Sequence, residues 1–221
     1  MSVETLVQQS LYALVDTRDE LKPFLGISSD DTGEDERINQ VNNMVSDQIE
    51  TFLDRLVVTR GSITEYHTFL VDSPTLYASQ WPLISVTSIH EDTNRTYGAS
   101  TLLTVTTDYI VHLAAGKITR VHSSGGSPRA WQTGFRAVEH IFTAGYATTA
   151  TVPAGLKYIS LRVMALAWRE VARKQQGVAS VSDDLGSVTR LFPAGLTPQI
   201  KNDLFAWKRS HFSATAAQVD T

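Results

Sequence analysis

Hydrophobic residues change their spacing twice along this chain of 221 residues. From 3 to 15 the apolar positions Leu6, Val7, Leu11, Leu14 and Val15 recur at helical steps, which predicts a short first helix. The stretch "TRDELKPFLG" opens with Thr17 and Glu20 in capping-box spacing and closes on Gly26, predicting a second. Pro23 lies inside it and removes a backbone donor, so that helix is expected to be kinked or partly irregular. A third helix, over about 33–55, follows from Ile38, Val41, Val45, Ile49, Phe52 and Leu56 at three- and four-residue steps behind a Thr32 to Asp35 cap pattern.

Between 57 and about 143 the period becomes two. Ile84, Val86 and Ser88 alternate with Leu83, Ser85, Thr87 and Ile89; Tyr109, Val111 and Leu113 alternate with Ile110 and His112; Val138, His140 and Phe142 share a face further on. "HLAAGKITRV" reads as a hairpin with Gly116 at a position of positive φ, and "NRTYGAS" and "HSSGGSPRA" read as exposed turns. The helical period returns over about 153–176. Residues 177–196 form a Gly/Ser/Asp-rich connection, and "TPQIKNDLFAWKRS" predicts a last helix over 197–210, with Thr197 as cap and Pro198 in its first turn. Residues 211–221 are expected to be a flexible tail, and 122–129 and 177–196 to order on assembly. The expected fold class is therefore α+β. One domain spans 1–221, mainly a helical bundle, with N-terminal helices in 1–56 and an antiparallel β subdomain of hairpins inserted at 57–143.

The helix at 153–176 is apolar on two sides. Leu156, Ile159, Val163 and Leu166 take one face, and Tyr158, Leu161, Ala165, Trp168 and Ala172 take nearly the opposite one. Arg162, Arg169 and Arg173 make a narrow polar stripe, either a solvated face or a surface for an acidic partner. A helix this apolar packs centrally, or shares one face with its own core and the other with a neighbouring subunit. In the second case Tyr158, Leu161, Trp168, Arg162, Arg169 and Arg173 form the subunit interface.

Composition narrows the field. With 42% hydrophobic residues the chain can bury a sizeable core, and a formal charge of −4 argues against a generally basic nucleic-acid binder. There is no cysteine, which removes disulfides, thiolate metal sites and a cysteine nucleophile. No run reaches the roughly 18 apolar residues of a membrane span, and the acidic N-terminal stretch lacks the form of a signal peptide, so a soluble, unprocessed protein is expected. The acids from Asp30 to Glu36 lack calcium-loop spacing and read as partners of a helix dipole.

Chemistry is sparse. The histidines, His67, His90, His112, His122, His140 and His211, stand at no helical metal-ligand spacing, and those at 67, 112 and 140 read as hydrogen-bonded structural residues of strands. No nucleophile elbow occurs, and Asp183 with Asp184 is explained as a turn or cap. "FTAGYATTATVPAGLK" fails as a phosphate loop, because Gly145 and Gly155 are too far apart and no Lys-Ser or Lys-Thr follows. It reads instead as a strand-to-helix hinge, in which Gly145 permits a sharp exit and Pro153 sets the first helical turn. No catalytic, cofactor or metal site is expected. The enzymatic alternative is a small-molecule site between bundle and sheet, with His140 or Asp183 as acid or base.

The order of these parts resembles the phage head-to-tail connector family, also called adaptor or head-completion proteins. Paired N-terminal helices end in "FLGI"; "GSITEYH" and "WPLISVTSIHED" follow; the strand ending in "TAGYA" leads to a proline-started helix; "LTPQIKNDLFAWKRSHF" closes the chain. The likeness covers nearly all of the sequence, with departures at Pro23, in a longer linker before Pro153, at Gly155 where an acid is common, and in a larger β region. It implies a non-enzymatic virion subunit of the neck, assembled in the host cytoplasm and free of membrane. Such a subunit forms a ring of twelve copies beneath the portal protein, adjoins the stopper or tail-completion protein, and lets DNA pass through its channel without specific binding. It also implies docking on the portal through the C-terminal helix and tail, by Ile200, Leu204, Trp207, Lys208, Arg209 and Phe212; Trp207 has core packing as its alternative. Another neck ring protein, a stopper or tail-completion subunit, is the nearest rival, which the terminal helices disfavour.

Overall fold

The computed structural model describes residues 9–123, 126–172 and 196–208, together with the backbone of 180–183 and 186–189. Two compact units emerge, one formed by the described residues of 1–58 and 148–209 and the other by 59–147.

The first unit is helical and begins without a helix. Residues 9–16 are turn and extended chain, while Ala13, Leu14 and Val15 are fully buried. The expected helix over 3–15 is thus absent from its described part, because side chains of the next long helix take the backbone polar groups. Ser10 N donates to Asn43 Oδ1 (2.8 Å), Leu14 N to Ser46 Oγ (3.0 Å), and Asn42 Nδ2 to Val15 O (3.0 Å) and Thr17 Oγ1 (2.9 Å). A π-helical turn, Thr17–Leu21, then runs into α1, Lys22–Leu25, so the helix expected around Pro23 forms and is irregular. Its cap is one residue earlier than the sequence pattern indicates: Asp16 accepts from Asp19 N (2.8 Å), and Glu20 Oε2 accepts from Asp16 N (2.8 Å). Gly26 ends it in the left-handed region at φ 76°.

Helix α2, Asp35–Leu53, buries Ile38, Val41, Val45, Ile49 and Leu53, with Asn42 and Ser46 among them as the polar anchors of 9–17. Its N-cap is Glu34, which makes no side-chain cap, rather than Thr32. The acids before it have a partner that the dipole argument omits. Lys22, 2% exposed, pairs with Asp35 and donates to Asp31 O (2.8 Å). Helix α3, Ala154–Ala172, and helix α4, Pro198–Phe205, complete the unit; α4 has the expected Thr197 cap, accepting from Ile200 N (3.3 Å). Residues 1–8 and 173–179, the far ends of two expected helices, lie outside the described residues, as does the tail 211–221.

The second unit is antiparallel β. Strands β1 (Ser62–Phe69), β6 (Gly134–Ala144) and β3 (Leu83–Glu91) form one sheet in the order β1-β6-β3, and β2 (Thr75–Tyr77), β5 (Lys117–Arg120) and β4 (Tyr109–His112) form another in the order β2-β5-β4. The hairpin at Gly116 forms as expected, with φ 60° there. Strict alternation fails in β3. Its pairing with β6 slips between Leu83 and Ser85 and again between Val86 and Ser88, and Val86 packs on the same core as Leu83 and Ile89 while Ser85 and Thr87 are exposed. Leu76, Ala78, Leu83, Ile89, Tyr109, Ile118, Trp131, Val138, Phe142 and Ala144 make the core of this unit.

The α+β class stands, but the fold is not mainly a helical bundle. Eight strands against four α-helices are found among the described residues, and α1 and α4 have only four and eight residues. Part of the difference is the segment 9–16. Part is the connection 177–196, whose backbone forms a β7–β8 hairpin, Ser180–Asp183 with Gly186–Thr189.

Candidate functional site

On α3 the two apolar faces are treated unequally. Leu156, Ile159 and Val163 are buried with Ser160 and Met164, Leu166 is half-buried, and across the helix Tyr158 is 57% exposed with Leu161 and Trp168 half-buried. Tyr158 meets the exposed Phe24 edge-on at 6.4 Å between ring centroids, and Arg162 stands over the Tyr158 ring. The arginine stripe is not uniform. Arg162 pairs with Asp203 of α4 (3.1 Å), Arg169 is exposed, and Arg173 lies outside the described residues. The segment from 9 to 21 is tied to α3 and its lead-in by Lys157 with Glu20 (2.5 Å) and by Thr149 Oγ1 donating to Ala13 O (3.1 Å).

The residues expected on the C-terminal helix divide in the same way. Ile200 and Leu204 are buried in the unit's own core, at 3% and 0% exposure, and Phe205 is 68% exposed. Trp207 is half-buried against the start of α3; a Cβ at Gly155 would stand 3.1 Å from its Cζ2. That contact accounts for glycine where the family resemblance leads one to expect an acid. Lys208 Nζ sits 5.3 Å from the Phe52 ring centroid, and Arg209 and Phe212 lie outside the described residues. In the expected hinge segment Gly145 has φ 96° and donates to Pro82 O (2.8 Å), a conformation that favours glycine. Thr148 and Thr151 cap each other around a short 3-10 turn, and Pro153 O accepts the first helical bond of α3 from Lys157 N (3.0 Å), so Pro153 stands just before the first turn.

Inside the β unit lies a group that helical metal-ligand spacing does not disclose. Glu65 and His67 occupy alternate positions of β1, and His140 of β6 is the register partner of Glu65. All three are buried, at 5%, 3% and 0% exposure, and their ligand atoms lie within 4.8 Å of one another. Burial pushes the Glu65 carboxyl up, but His67 and the Ser79 hydroxyl and amide outweigh it and hold the acid below its usual range. Burial, helped by His67 and opposed by Glu65, pushes His140 down to about 3, so this imidazole is neutral. Contrary to expectation His140 is not a hydrogen-bonded histidine: among the described residues neither ring nitrogen has a partner. Its burial also removes it as an acid or base toward a substrate, and the Asp183 side chain lies outside the described residues. A search for helical i,i+4 spacing misses such a group, whereas Glu-x-His on a strand, paired with a second histidine-bearing strand, is the signal that finds it.

A second buried polar group holds the two sheets' loops. Arg120, 3% exposed, donates from Nε (3.1 Å) and Nη2 (2.9 Å) to Glu91 Oε2 and from Nη1 to Val121 O (3.2 Å), and meets Asp108 Oδ1 at 3.4 Å. These contacts join β5 to the end of β3 and to the chain just before β4. Among the described residues no helix is long and apolar enough to cross a membrane.

No family model matches the chain, and no curated protein matches it. Solved structures do. The chain folds like one in the neck of an empty gene transfer agent particle computed with C6 symmetry, with a TM-score of 0.54 and 15% identity over 91% of this chain and 93% of that one. A chain of the virion of the native particle matches with a TM-score of 0.51 and 20% identity over 94% of each. One from the native particle's neck, computed with C12 symmetry, matches at 0.50 and 13%, over 91% and 96%. At these identities the likeness establishes a shared fold across nearly the whole of both chains.

Proposed function

We propose that the chain is a structural subunit of the neck of a phage-like particle: a head-to-tail connector that docks beneath the portal as a ring and extends the DNA channel towards the stopper or tail. The observation that carries this is the fold held in common, over nine-tenths of each chain, with components of gene transfer agent neck and virion structures. Symmetry in those necks supports a ring of twelve copies. The half-covered face of α3, with Tyr158, Leu161, Trp168 and Arg169, is the surface for a neighbouring copy in a closed cyclic interface. Portal docking falls to Phe205, Lys208 and the residues that follow, Arg209 and Phe212 included, while Ile200 and Leu204 anchor the helix beneath them. A net charge of −4 suits a channel that DNA crosses without being held, since each neutralised phosphate adds salt-dependent affinity.

Removing all of 197–221 strips Ile200 and Leu204 from the core, so the informative truncation removes 209–221 alone. Electron microscopy of the intact chain mixed with portal should show an added ring coaxial with the portal, and the truncated chain should fold but fail to attach. Undiminished attachment would sink the docking role. A chain that ignores portal and other neck components altogether would sink the connector reading.

A further inference from the structure

The Glu65, His67 and His140 group carries an inference that neither the fold nor the neck role supplies. Its three side chains project from neighbouring strands of one sheet, and the burial of all three is nearly complete. Buried imidazole nitrogens normally find a partner, since an unmade hydrogen bond leaves the loss of hydration uncompensated. Here His140 Nδ1 and Nε2 have none among the described residues, and His67 Nε2 meets Glu65 Oε2 at 3.4 Å. One nitrogen of each imidazole can offer a lone pair beside the Glu65 carboxylate, and these three ligand atoms lie within 4.8 Å of one another.

We propose that Glu65, His67 and His140 bind a divalent first-row transition metal ion, zinc by preference, as a structural site inside the β unit. Two imidazoles and one carboxylate make a donor set that suits zinc, copper, cobalt or nickel; magnesium and calcium prefer oxygen alone. Zn–N bonds of roughly 2.0–2.1 Å imply a tetrahedral edge of roughly 3.3 Å. The ligand atoms already lie within 4.8 Å, so closure needs a movement of roughly 1.5 Å at the widest pair. A water takes the fourth position. The supporting shell is in place: Ser79 N donates to both Glu65 oxygens (3.2 Å), its hydroxyl donates to Oε1, and Phe142 stacks on the His140 ring at 4.4 Å. With ligands at 5%, 3% and 0% exposure, no substrate reaches the ion, and its effect is to clamp β1 to β6.

The test uses the full chain without a histidine tag, stripped with a chelator and titrated with zinc chloride. Zinc should bind one to one and raise the melting temperature by roughly 5–10 °C at a hundredfold excess over its Kd. Cobalt(II) at the same site should give the intense visible bands of tetrahedral coordination. His140→Phe, which fills the pocket without a nitrogen, and Glu65→Gln should each lose the shift and the cobalt spectrum. Replacing the more exposed His112 and His122 by alanine should leave both unchanged. Should His140→Phe fail to fold, the native chain and Glu65→Gln still decide. The proposal is overturned if the native chain binds no zinc at one equivalent, or if the ion stays bound in Glu65→Gln and is lost in the His112 and His122 variant.

Discussion

Single side chains in this protein act chiefly by answering backbone groups that regular structure leaves open. Asp92 shows it most fully, accepting from Asn94 N (2.7 Å), Thr96 N (2.9 Å) and Tyr97 N (3.2 Å) and from the Thr96 hydroxyl (2.5 Å). The Thr96 hydroxyl first, then the Asn94 amide, hold its carboxyl down at about 2, below the ordinary 3.8. A folded value below the unfolded one means that this contribution is present above pH 4 and disappears as the pH falls from about 4 to about 2. Thermal unfolding followed from pH 5 to pH 2 should therefore fall more steeply in the native chain than in Asp92→Asn, and parallel curves would refute the assignment. Arg120 is a different case, a buried cation with two carboxylates and two carbonyls around it. Arg120→Ala strands Glu91 and should cost about 3–5 kcal/mol in denaturant unfolding of the β unit.

At the scale of elements, the joins matter more than the helices and strands they connect. Gly145 ends β6 at φ 96° with its amide held by Pro82, and valine there meets left-handed backbone with a branched side chain. Gly145→Val should lower stability by about 1–3 kcal/mol and impair ring formation. A variant with native melting temperature and normal assembly would show that the hinge reading is wrong. In α2 the inward stripe is mixed by design of the chain around it: Asn42 and Ser46 look like interruptions of an apolar face, yet they hold residues 9–17 where a helix periodicity is otherwise legible. In β3 two register shifts break the period-two pattern, so that Val86 joins Leu83 and Ile89 on the core while Ser85 and Thr87 are exposed. Neither event is visible in local spacing, because each depends on what lies across from the segment.

At the scale of the whole molecule, the subunit leaves aromatic surface uncovered. Tyr158 is 57% exposed and touches Phe24, itself 42% exposed, so little of the subunit's own stability rests on the pair. Tyr158→Ala should accordingly keep the melting temperature within about 2 °C and reduce ring formation with portal, as read by analytical ultracentrifugation and microscopy. Full assembly of that variant would remove α3 from the interface. Of the expected docking residues, Ile200 and Leu204 prove to be core. Their three- to four-residue spacing is the same whether a helix faces its own domain or a partner, which is why sequence alone does not tell the two apart.

What the sequence determined by itself is local: the runs of helical and alternating period, the Thr197 and Gly26 caps, the Gly116 turn, and a chain long enough for an α+β core. Each follows from interactions within a few residues. The tertiary structure decided which polar side chains replace a helix at 9–16, where β3 slips against β6, and which face of α3 is covered. It alone joins Glu65 and His67 to His140, because the register of β1 on β6 sets that meeting, and register is a property of two distant segments brought together.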